Sequence, residues 1–464
     1  MKTKPVLIVA GYCLLTGNIA KATKENNVQN PNHPNIIFIL TDDMGIGDIG
    51  AYGGKIIETP YIDKMAAEGI RFNKFYCASP ISSPSRAGFL TGRHPANWNI
   101  TSYLQTREGN RNAEMADFLT PDAHTLPRVL KDVGYKTAHF GKWHLGGGRD
   151  VHNAPSIKKY GYDEYVSTYE SPNPDPLLTA TDWIWSAEDS IKRWDRTAYF
   201  IDKTLAFLKN NKETPCFINL WPDDVHTPWI GNEEEMGQSP QGTNSKKNFK
   251  TVMEVYDQQI GQLLKSLKEE GLDKNTIVIF TSDNGPAPTF GHDRNNGLRG
   301  QKASLFEGGI RMPFIVWGPD AHIPMGIVND LSVISALDIF STICSLTNSN
   351  VPKDLNSDGE DMSEALLGNS KIRTKNIFWE YRRNDSNAFP KPSEEYNVSP
   401  NIAVLHENWK LLVNKDGSNV LLFDLNNDIN ETTNLMNDFP KVTEKLKKEA
   451  LEWRKSLPAY ENNN

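Results

Sequence analysis

The sequence predicts an α/β fold with a large, mostly parallel sheet flanked by helices, followed by a smaller antiparallel sheet plus a helix. Three observations support this prediction. Short apolar runs recur along most of the 464 residues and lack polar alternation, as in strands buried on both faces of a sheet. Helical patterns separate these runs. After about residue 370 the strand patterns become closely spaced, with turn residues between them.

The N-terminus resembles a secretory signal peptide. Two lysines precede the apolar run PVLIVAGYCLL, and the residues Ala20, Lys21 and Ala22 form a small-residue cleavage site. A membrane anchor is the alternative, but the run is too short to span a bilayer. Lipidation at Cys13 is disfavoured because the residue directly before it is Tyr12 rather than a small residue. We therefore predict a signal peptide at 1–22, a flexible leader at 23–34 and an exported, periplasmic protein.

Charge and cysteine content exclude two classes of protein. Cleavage after residue 22 would remove three lysines and change the formal charge from −8 to −11, which disfavours nucleic-acid binding. It would also leave Cys77, Cys216 and Cys344, an odd and widely spaced set that does not form a disulfide framework. The fold therefore depends on its apolar core, and Cys77 is interpreted as a structural residue.

The strands of the large sheet are predicted from apolar runs, and the helices from apolar stripes. One helix is predicted over 251–270, with its apolar residues on one side and Gly271 at its end. The catalytic domain is predicted to span 35–370, and a C-terminal subdomain of strands and a final helix to span 371–464. The predicted central strands are IIFIL (36–40), TAHF (137–140), CFINLW (216–221), TIVIF (276–280) and PFIVW (313–317).

Carboxylates follow two of these strands. Asp42 and Asp43 come directly after the first strand, and Asp283 and Asn284 come after the fourth. Open α/β sheets bind ligands at the carboxyl ends of their strands. A single such pair is usually an ordinary turn or helix cap, but two pairs with only oxygen donors indicate a hard cation, Ca²⁺ or Mg²⁺ rather than zinc.

Basic side chains follow two of the other predicted strands, and a further lysine precedes the last one. Lys142 and His144 lie in GKWHLGGG, His226 in PDDVHTP and Lys302 in GLRGQKASLFEGG. Alone, each would more often be a solvated lysine or a hydrogen-bonded histidine. Together with a dication they indicate a pocket for a phosphate or sulfate oxyanion.

The stretch SPISSPSRAGFLTGR, residues 79–93, supplies a candidate nucleophile. It begins a helix whose free backbone N–H groups would favour an anion, and Arg86 lies in its first turn. The segment resembles the signature Cys/Ser-x-Pro-x-Arg with a following Thr-Gly-Arg of the type I sulfatases, in the alkaline-phosphatase superfamily. TDDMG, GKWHLG, SDNG and FEGGIRMP extend the resemblance, in the family's order, from about Asn35 to the C-terminal sheet.

The resemblance implies an alkaline-phosphatase-like fold and the hydrolysis of sulfate monoesters. It places the first signature position on Ser82, which in this family is oxidised to Cα-formylglycine. A serine there resembles the bacterial subgroup matured, before export, by a transiently bound radical S-adenosylmethionine enzyme. It also implies a cation, usually calcium, held by Asp42, Asp43, Asp283 and Asn284.

The resemblance also implies roles for five further residues. Arg86 and Lys142 would stabilise the formylglycine hydrate and the sulfate charge, and His144 would assist release of sulfate. His226 would protonate the leaving alcohol, while Lys302 would bind sulfate or help to protonate that oxygen.

Export and an acidic mature chain favour sulfated carbohydrate as the substrate. Loops rich in aromatic and polar residues are predicted to form the rim of the pocket, at 97–111, 160–185 and 289–299. His292 and Arg294 are candidate substrate-binding residues there, whereas His139 is expected in the core.

Two alternatives remain open from the sequence. One is a phosphatase or phosphodiesterase of the same superfamily that uses unmodified Ser82, and the relative turnover of aryl sulfate and aryl phosphate would distinguish it. The other is a sugar-binding protein without catalysis, which would bind sulfated glycan without hydrolysing it.

Overall fold

The computed structural model of the chain describes Met1 and residues 33–181, 183–236 and 244–460. The predicted signal peptide and most of the predicted leader therefore lie outside the described residues. Within the part that is described, none of the helices combines the length and the apolar character needed to cross a membrane.

Strands and helices alternate through most of the chain, and strands are concentrated near its C-terminus. The strands are β1 (Asn35–Thr41), β2 (Ile70–Tyr76), β3 (Lys136–Gly141), β4 (Glu164–Ser167), β5 (Cys216–Trp221), β6 (Thr276–Ser282), β7 (Arg311–Trp317), β8 (Ile327–Asn329), β9 (Ile334–Ser335), β10 (Ile377–Glu380), β11 (Ile402–His406), β12 (Trp409–Val413) and β13 (Leu421–Asp424). The helices are α1 (Pro60–Ala67), α2 (Ser82–Thr91), α3 (Arg107–Asn112), α4 (Leu126–Asp132), α5 (Arg196–Asn210), α6 (Glu233–Met236), α7 (Lys246–Glu269), α8 (Glu307–Ile310), α9 (Asp338–Leu346), α10 (Ser363–Leu366) and α11 (Pro440–Ser456).

The large sheet has the strand order β4-β3-β5-β1-β6-β7-β2-β8, and β9 pairs with β2. Five consecutive strands of this order run parallel to one another: β4, β3, β5, β1 and β6. β7 runs antiparallel to both β6 and β2. The predicted large, mostly parallel sheet is therefore confirmed, with β7 as its main exception.

Both faces of this sheet are covered by apolar side chains. Alternate residues of β1 point to opposite faces, so Ile36 and Phe38 pack with residues of α2, α4 and α9, whereas Ile37 and Ile39 pack with residues of α1, α5 and α7. Each such fully buried side chain contributes about 1.5–3 kcal/mol to folding. This two-sided burial explains why the strand sequences show no polar alternation.

The helix predicted over 251–270 is α7, which begins earlier than expected. The side chain of Ser245 caps it, because its hydroxyl oxygen accepts the backbone N–H of Asn248 at 3.1 Å. The predicted apolar stripe, including Met253, Tyr256 and Ile260, is buried.

The C-terminal strands form a separate antiparallel sheet in the order β10-β11-β12-β13. α11 covers it, since Leu446 and Ala450 pack with Ile402 and Leu411 of the sheet. The predicted smaller sheet with its covering helix is confirmed. The three cysteines Cys77, Cys216 and Cys344 are buried and free.

The parallel strands β3, β5, β1 and β6 end at one edge of the large sheet. Gly141 lies opposite Trp221 in the β3–β5 register, and Thr41 lies opposite Ser282 in the β1–β6 register. The loops that follow these strands therefore meet at that edge.

Candidate active site

Ser82 lies at the start of α2, beside the carboxyl edge of the large sheet. The preceding residue, Ile81, is extended (φ −153°, ψ 155°), and no side chain caps the helix. The backbone N–H groups of Ser82 and Ser83, at the start of the helix, therefore have no intrahelical partner. The Ser82 hydroxyl lies 3.2 Å from Asp42 Oδ1 and 3.3 Å from Asn284 Oδ1, and only 2% of the residue is exposed.

The oxygen-bearing side chains after β1 and β6 form an acidic cluster, defined here as Asp42, Asp43, Asp283 and Asn284. The β1–β6 register places the two pairs side by side. The backbone N–H of Asp43 donates to Asp283 Oδ1 at 3.2 Å, and Asn284 Nδ2 donates to Asp43 Oδ1 at 2.7 Å. The structure therefore brings together all four predicted metal ligands.

The three carboxylates of the acidic cluster are buried, and their charges interact. Burial, together with the negative charge of Asp42, raises the pKa of Asp283 to about 6. Burial also disfavours ionisation of Asp42, but the ammonium of Lys142 and other nearby cations hold its pKa well below the usual value. The cluster therefore carries negative charge that needs positive partners.

Each carboxylate of the cluster pairs with one cationic side chain. Lys142 Nζ lies 2.7 Å from Asp42 Oδ2, Lys302 Nζ lies 2.7 Å from Asp43 Oδ1, and Arg86 Nη2 lies 2.8 Å from Asp283 Oδ2. Arg86 is fully buried and also donates to the Lys142 carbonyl at 3.2 Å. Positive groups thus surround the acidic cluster at hydrogen-bond distance.

The backbone at the end of β3 determines where Lys142 lies. Gly141 has a φ of +123°, and a Cβ atom there would lie 2.0 Å from the Trp221 carbonyl oxygen. Glycine is therefore required at this close approach. The next residue, Lys142, donates its backbone N–H to that same carbonyl at 2.7 Å.

His144 lies between a backbone carbonyl and a carboxylate. Its Nε2 is 3.1 Å from the Leu104 carbonyl oxygen, and its Nδ1 is 3.4 Å from Glu170 Oε2. Burial disfavours a charge on Glu170, but His144, Lys142 and Arg149 around it lower its pKa to about 2. Glu170 is therefore ionised beside the ring.

His226 faces the acidic cluster from the loop after β5. Its Nε2 lies 3.7 Å from Asp43 Oδ2, and its Nδ1 lies 2.6 Å from the Thr227 carbonyl oxygen. Arg193 fixes this loop, because its Nη2 donates to the carbonyls of Asp223 at 2.7 Å and His226 at 3.0 Å. Burial and the Lys302 ammonium lower the pKa of His226.

Potential ligand atoms of three of these residues lie close enough together to share one ion. One atom each from Asp42, Asp43 and His226 lies within 4.8 Å of the others. A cation between the carboxylates could therefore also be reached by the histidine ring.

A cavity of about 240 Å³ opens above these residues. Six predicted site residues line it, and so do ten residues that were not predicted as site residues. The predicted ones are Asp42, Ser82, Lys142, His144, His226 and Lys302. The others are Ile81, Tyr103, Arg149, Thr168, Tyr169, Glu170, Ile184, Arg193, Asp223 and Pro390.

Comparison with known proteins agrees with this geometry. The family model described as Sulfatase matches residues 34–349, more than half of the chain. The chain belongs to the sulfatase family. A second model, described as N-sulphoglucosamine sulphohydrolase, C-terminal, matches residues 300–456. The protein is therefore a sulfuric ester hydrolase, and the predicted family and superfamily are confirmed.

Curated sulfatases and a solved structure resemble the chain over most of its length. An N-acetylgalactosamine-6-O-sulfatase of Bacteroides thetaiotaomicron is 30% identical over 95% of this chain and 96% of its own. An N-acetylgalactosamine-6-sulfatase of Rattus norvegicus is 34% identical over 76% of this chain and 69% of its own. The crystal structure of Ps i-CgsB in complex with k-i-k-neocarrahexaose has 27% identity and a TM-score of 0.73, covering 92% of this chain and 94% of that one.

Two predicted substrate-binding residues do not line the cavity of this sulfatase. Arg294 is only 1% exposed, forms a salt bridge to Asp48 at 2.7 Å and donates to the Asp43 carbonyl at 2.8 Å. His292 contacts the Leu298 carbonyl at 3.2 Å and lies 3.7 Å from Glu394. Arg294 therefore supports the backbone of the acidic cluster from behind.

The three predicted rim segments differ in their placement. Tyr103 of 97–111 lines the cavity, as do several residues of 160–185. No residue of 289–299 is among those that line it. His139 is fully buried, with its ring edge-on to Trp143 and Trp221, in line with the expected core position.

Sequence reasoning did not single out Glu170, Arg149 or Arg193 as site residues, although Glu170 lies within the predicted rim segment 160–185. Glu170 and Arg149 lie in loops, and Arg193 lies just before α5. None of the three belongs to a signature motif. Glu170 was reached only as part of that segment, and the signal that could have found Arg149 is its position directly after the GKWHLGGG motif.

Proposed function

We propose that this sulfatase hydrolyses sulfate monoesters of carbohydrates, with a Cα-formylglycine formed from Ser82 and a bound Ca²⁺. One observation carries the proposal: the Ser82 hydroxyl lies within 3.3 Å of two members of the acidic cluster, at the foot of the cavity. A nucleophile at this point would lie beside the cationic side chains of Arg86, Lys142 and Lys302, which can stabilise the negative charge of a sulfate group.

The acidic cluster fits a hard divalent cation. Its four side chains offer only oxygen donors, and their buried carboxylates repel one another, as the raised pKa of Asp283 indicates. We propose that Asp42, Asp43, Asp283 and Asn284 hold Ca²⁺, with Mg²⁺ as the alternative. When bound, the cation supplies Lewis-acid polarisation of a sulfate oxygen.

An unmodified serine is a poor catalyst for this reaction. Attack by its hydroxyl on a sulfate ester would leave a serine sulfate, whose hydrolysis meets the same barrier again. A formyl group at position 82 supplies, when hydrated, one hydroxyl to attack sulfur and a second whose deprotonation releases sulfate. His144, which lines the same cavity, is proposed to accept that second proton.

Positive groups at the foot of the cavity suit a sulfate anion. Lys142 and Lys302 line the cavity with their ammonium groups at the acidic cluster, and Arg86 lies directly beneath. The unpaired N–H groups at the start of α2 add favourable dipoles. We propose that Arg86 and Lys142 stabilise the charge at sulfur and that Lys302 binds a sulfate oxygen.

His226 is the proposed general acid. It lines the cavity, and its Nε2 faces Asp43, next to Lys302. From there it can protonate the oxygen of the departing alcohol, while Arg193 fixes its backbone. Without such a proton an alkoxide would have to leave.

Relatives suggest which carbohydrate to test first. The curated relatives from Bacteroides thetaiotaomicron and Rattus norvegicus are named for the 6-sulfate of N-acetylgalactosamine, and the Ps i-CgsB structure contains a neocarrahexaose. We propose N-acetylgalactosamine 6-sulfate as the first substrate. Export to the periplasm and oxidation of Ser82 by a radical S-adenosylmethionine enzyme belong to the same proposal.

The test is the mass of the tryptic peptide Phe75–Arg86 from the native host, measured beside sulfate release. We expect the peptide to be lighter by two hydrogens, or to appear as the hydrate, with the change at Ser82. The Ser82→Ala variant should release no sulfate. Ser85→Ala changes a serine three residues away and should keep both the modification and the activity.

Two results would contradict the proposal. The first is full sulfatase activity with an unmodified Ser82. The second is faster turnover of an aryl phosphate than of an aryl sulfate by enzyme with an unmodified Ser82, which would favour the phosphatase alternative.

A further inference from the structure

Two loops build a part of the cavity wall whose residues have no assigned part in the proposed chemical steps. Arg149 follows the GKWHLGGG segment, and Glu170 follows β4. Arg149 Nη2 donates to Glu170 Oε1 at 3.0 Å, and the Arg149 backbone N–H donates to the Tyr169 hydroxyl at 3.1 Å. All three residues line the cavity.

This pair retains hydrogen-bonding capacity toward the cavity. Glu170 Oε2 lies 3.4 Å from His144 Nδ1 and 3.8 Å from Lys142 Nζ, which is longer than a usual N–H···O hydrogen bond. The side chains of Arg149 and Glu170 are 22% and 11% exposed, so both keep surface that a ligand in the cavity can reach. A carboxylate that accepts beside a guanidinium that donates can bind two hydroxyl groups of one molecule.

An exposed indole lies beside the pair. Trp183 is 50% exposed, and its ring centroid lies 5.9 Å from that of Tyr169. The Arg149 guanidinium lies 5.7 Å from the Trp183 ring. A large aromatic face next to polar groups at a cavity is suited to the apolar C–H face of a sugar ring.

We infer that Glu170 and Arg149 bind ring hydroxyl groups of the sulfated sugar, and that Trp183 packs against that sugar, which makes this wall a sugar-specific subsite. The inference rests on the proposed sulfatase function and deepens it. An aryl or steroid sulfate has no hydroxyls at these positions, so it would cover the two charged groups without replacing their hydrogen bonds to water. Sites built around hydrogen bonds discriminate strongly against ligands that lack the partner group.

The test combines changes in the protein with changes in the substrate. The substrates are an aryl sulfate, the sulfated monosaccharide that the wild-type enzyme turns over fastest from a panel including N-acetylgalactosamine 6-sulfate, and a deoxy analogue of that sugar. The analogue lacks the ring hydroxyl nearest the sulfate ester, which is the 4-hydroxyl in N-acetylgalactosamine 6-sulfate. In the wild type, removing this hydroxyl should lower kcat/KM by about 10²-fold. In Glu170→Gln and Arg149→Met, the same removal should cost less than about threefold.

This coupling separates substrate recognition from support of the fold. Glu170 also lies beside His144 and Lys142, so its variant should lose activity on every substrate, and only the ratio between the two sugars reports on the hydroxyl. Trp183→Ala should lower kcat/KM about tenfold more on the sugar than on the aryl sulfate. The matched control is Tyr61→Ala, which removes another exposed ring (45% exposed) that lies outside the cavity, and it should leave all ratios unchanged.

Failure of this inference and failure of the proposed function give different results. The subsite would be contradicted if removing the hydroxyl from the sugar lowered kcat/KM by the same factor in the wild type and in both variants. Turnover of the aryl sulfate with no turnover of any sugar would also contradict it, while leaving the sulfatase mechanism intact. Absence of turnover for every sulfate ester by enzyme carrying the modification at Ser82 would instead contradict the proposed function and the subsite that rests on it.

Discussion

At the active centre, single residues balance one another in charge. Asp42, Asp43 and Asp283 each have one cation at hydrogen-bond distance, from Lys142, Lys302 and Arg86 respectively. Breaking a buried pair by removing one partner typically costs about 3–5 kcal/mol, because the other charge stays unpaired. Variants that keep the shape of the side chain therefore report on function better than deletions to alanine.

The first prediction concerns Asp283 and the proposed cation. Asp283→Asn keeps the side-chain shape and an oxygen toward Arg86, but it removes one negative charge from the acidic cluster. Sulfatase activity should fall by at least about 10³-fold if this ligand holds the cation that polarises sulfate. Excess Ca²⁺ should stabilise the chelated wild type by about 2.7 kcal/mol at a hundred times its Kd, measured as a rise in Tm, and the variant should lose this rise.

A matched control is available for this experiment. Asp257 is also a buried carboxylate, and it accepts the backbone N–H groups of Tyr61 and Ile62, outside the acidic cluster. Asp257→Asn should keep the Ca²⁺-dependent rise in Tm. Equal rises in wild type and Asp283→Asn would contradict the assigned ligand set.

The sequence predicted those site residues that directly follow buried strands. Asp42 and Asp283 were accessible to prediction because strand order and register determine where they lie. Arg149 was not predicted, and Glu170 was included only within the rim segment 160–185, because both residues approach the cavity from loops whose path depends on tertiary contacts. Arg294 was predicted at the rim, but its charge is needed beside the buried Asp48.

At the level of secondary-structure elements, α2 positions the proposed nucleophile through close packing. All ten of its residues are buried. A Cβ atom on Gly88 would lie 2.5 Å from Ala78 Cβ and 3.2 Å from Leu337 Cδ2. The helix therefore lies as close to its neighbours as a glycine allows.

The second prediction concerns this close packing. Gly88→Ala forces α2 away from Ala78, which should destabilise the fold by about 1–3 kcal/mol and move Ser82 relative to the acidic cluster. Sulfate release should fall by about 10²-fold, since small displacements of reacting groups are costly. Adding Ala78→Gly removes the clashing atom and should restore most of both losses, as measured by denaturation and by kcat/KM. No recovery in the double variant would contradict this account.

The strands differ in how well the sequence revealed them. The runs at β1, β5 and β6 are apolar throughout because both of their faces are covered. β2 was missed because its sequence, IRFNKFY, interrupts the apolar residues with Arg71, Asn73 and Lys74, all of which are only partly buried. The residues of β7 do not reveal that the strand is antiparallel, because its direction depends on its pairing with β6 and β2.

For the whole molecule, the C-terminal sheet shares a core with the large sheet. Trp379 and Leu405 belong to the same apolar cluster as Phe38 of β1, and Trp379 Nε1 donates to the Cys77 carbonyl at 2.8 Å. The proposed division of the chain at residue 370 therefore separates two sheets that support each other. Cys77 lies just ahead of α2, so the C-terminal sheet also supports the segment that leads to Ser82.

A buried ion cluster joins the same two parts. Lys410 of β12 lies 2.9 Å from both Glu307 and Glu431, and all three side chains are fully buried. Arg311 and the Tyr76 hydroxyl also contact Glu307. Burial raises the pKa of Glu431 to about 7 despite the nearby Lys410, because Glu307 is also negative.

The third prediction follows from this raised pKa. The folded protein holds the Glu431 proton more tightly than the unfolded chain does, so the wild type loses stability as the pH rises from about 4.5 through about 7. Glu431→Gln carries no such proton. Its free energy of unfolding, relative to the wild type, should therefore increase between pH 5 and pH 8 by up to about 3 kcal/mol, as measured by chemical denaturation. A difference that is the same at both pH values would contradict the prediction.

The burial of Ser82 also bears on the order of events during biosynthesis. With 2% of the residue exposed at the start of a helix that is buried along its whole length, a second enzyme has no access to it once the chain has folded. The proposed oxidation must therefore occur on the nascent or unfolded polypeptide, before folding buries Ser82. A molecule that folds too early is permanently inactive unless it unfolds again, so the ratio of active to inactive enzyme in a cell records a kinetic competition between maturation and folding.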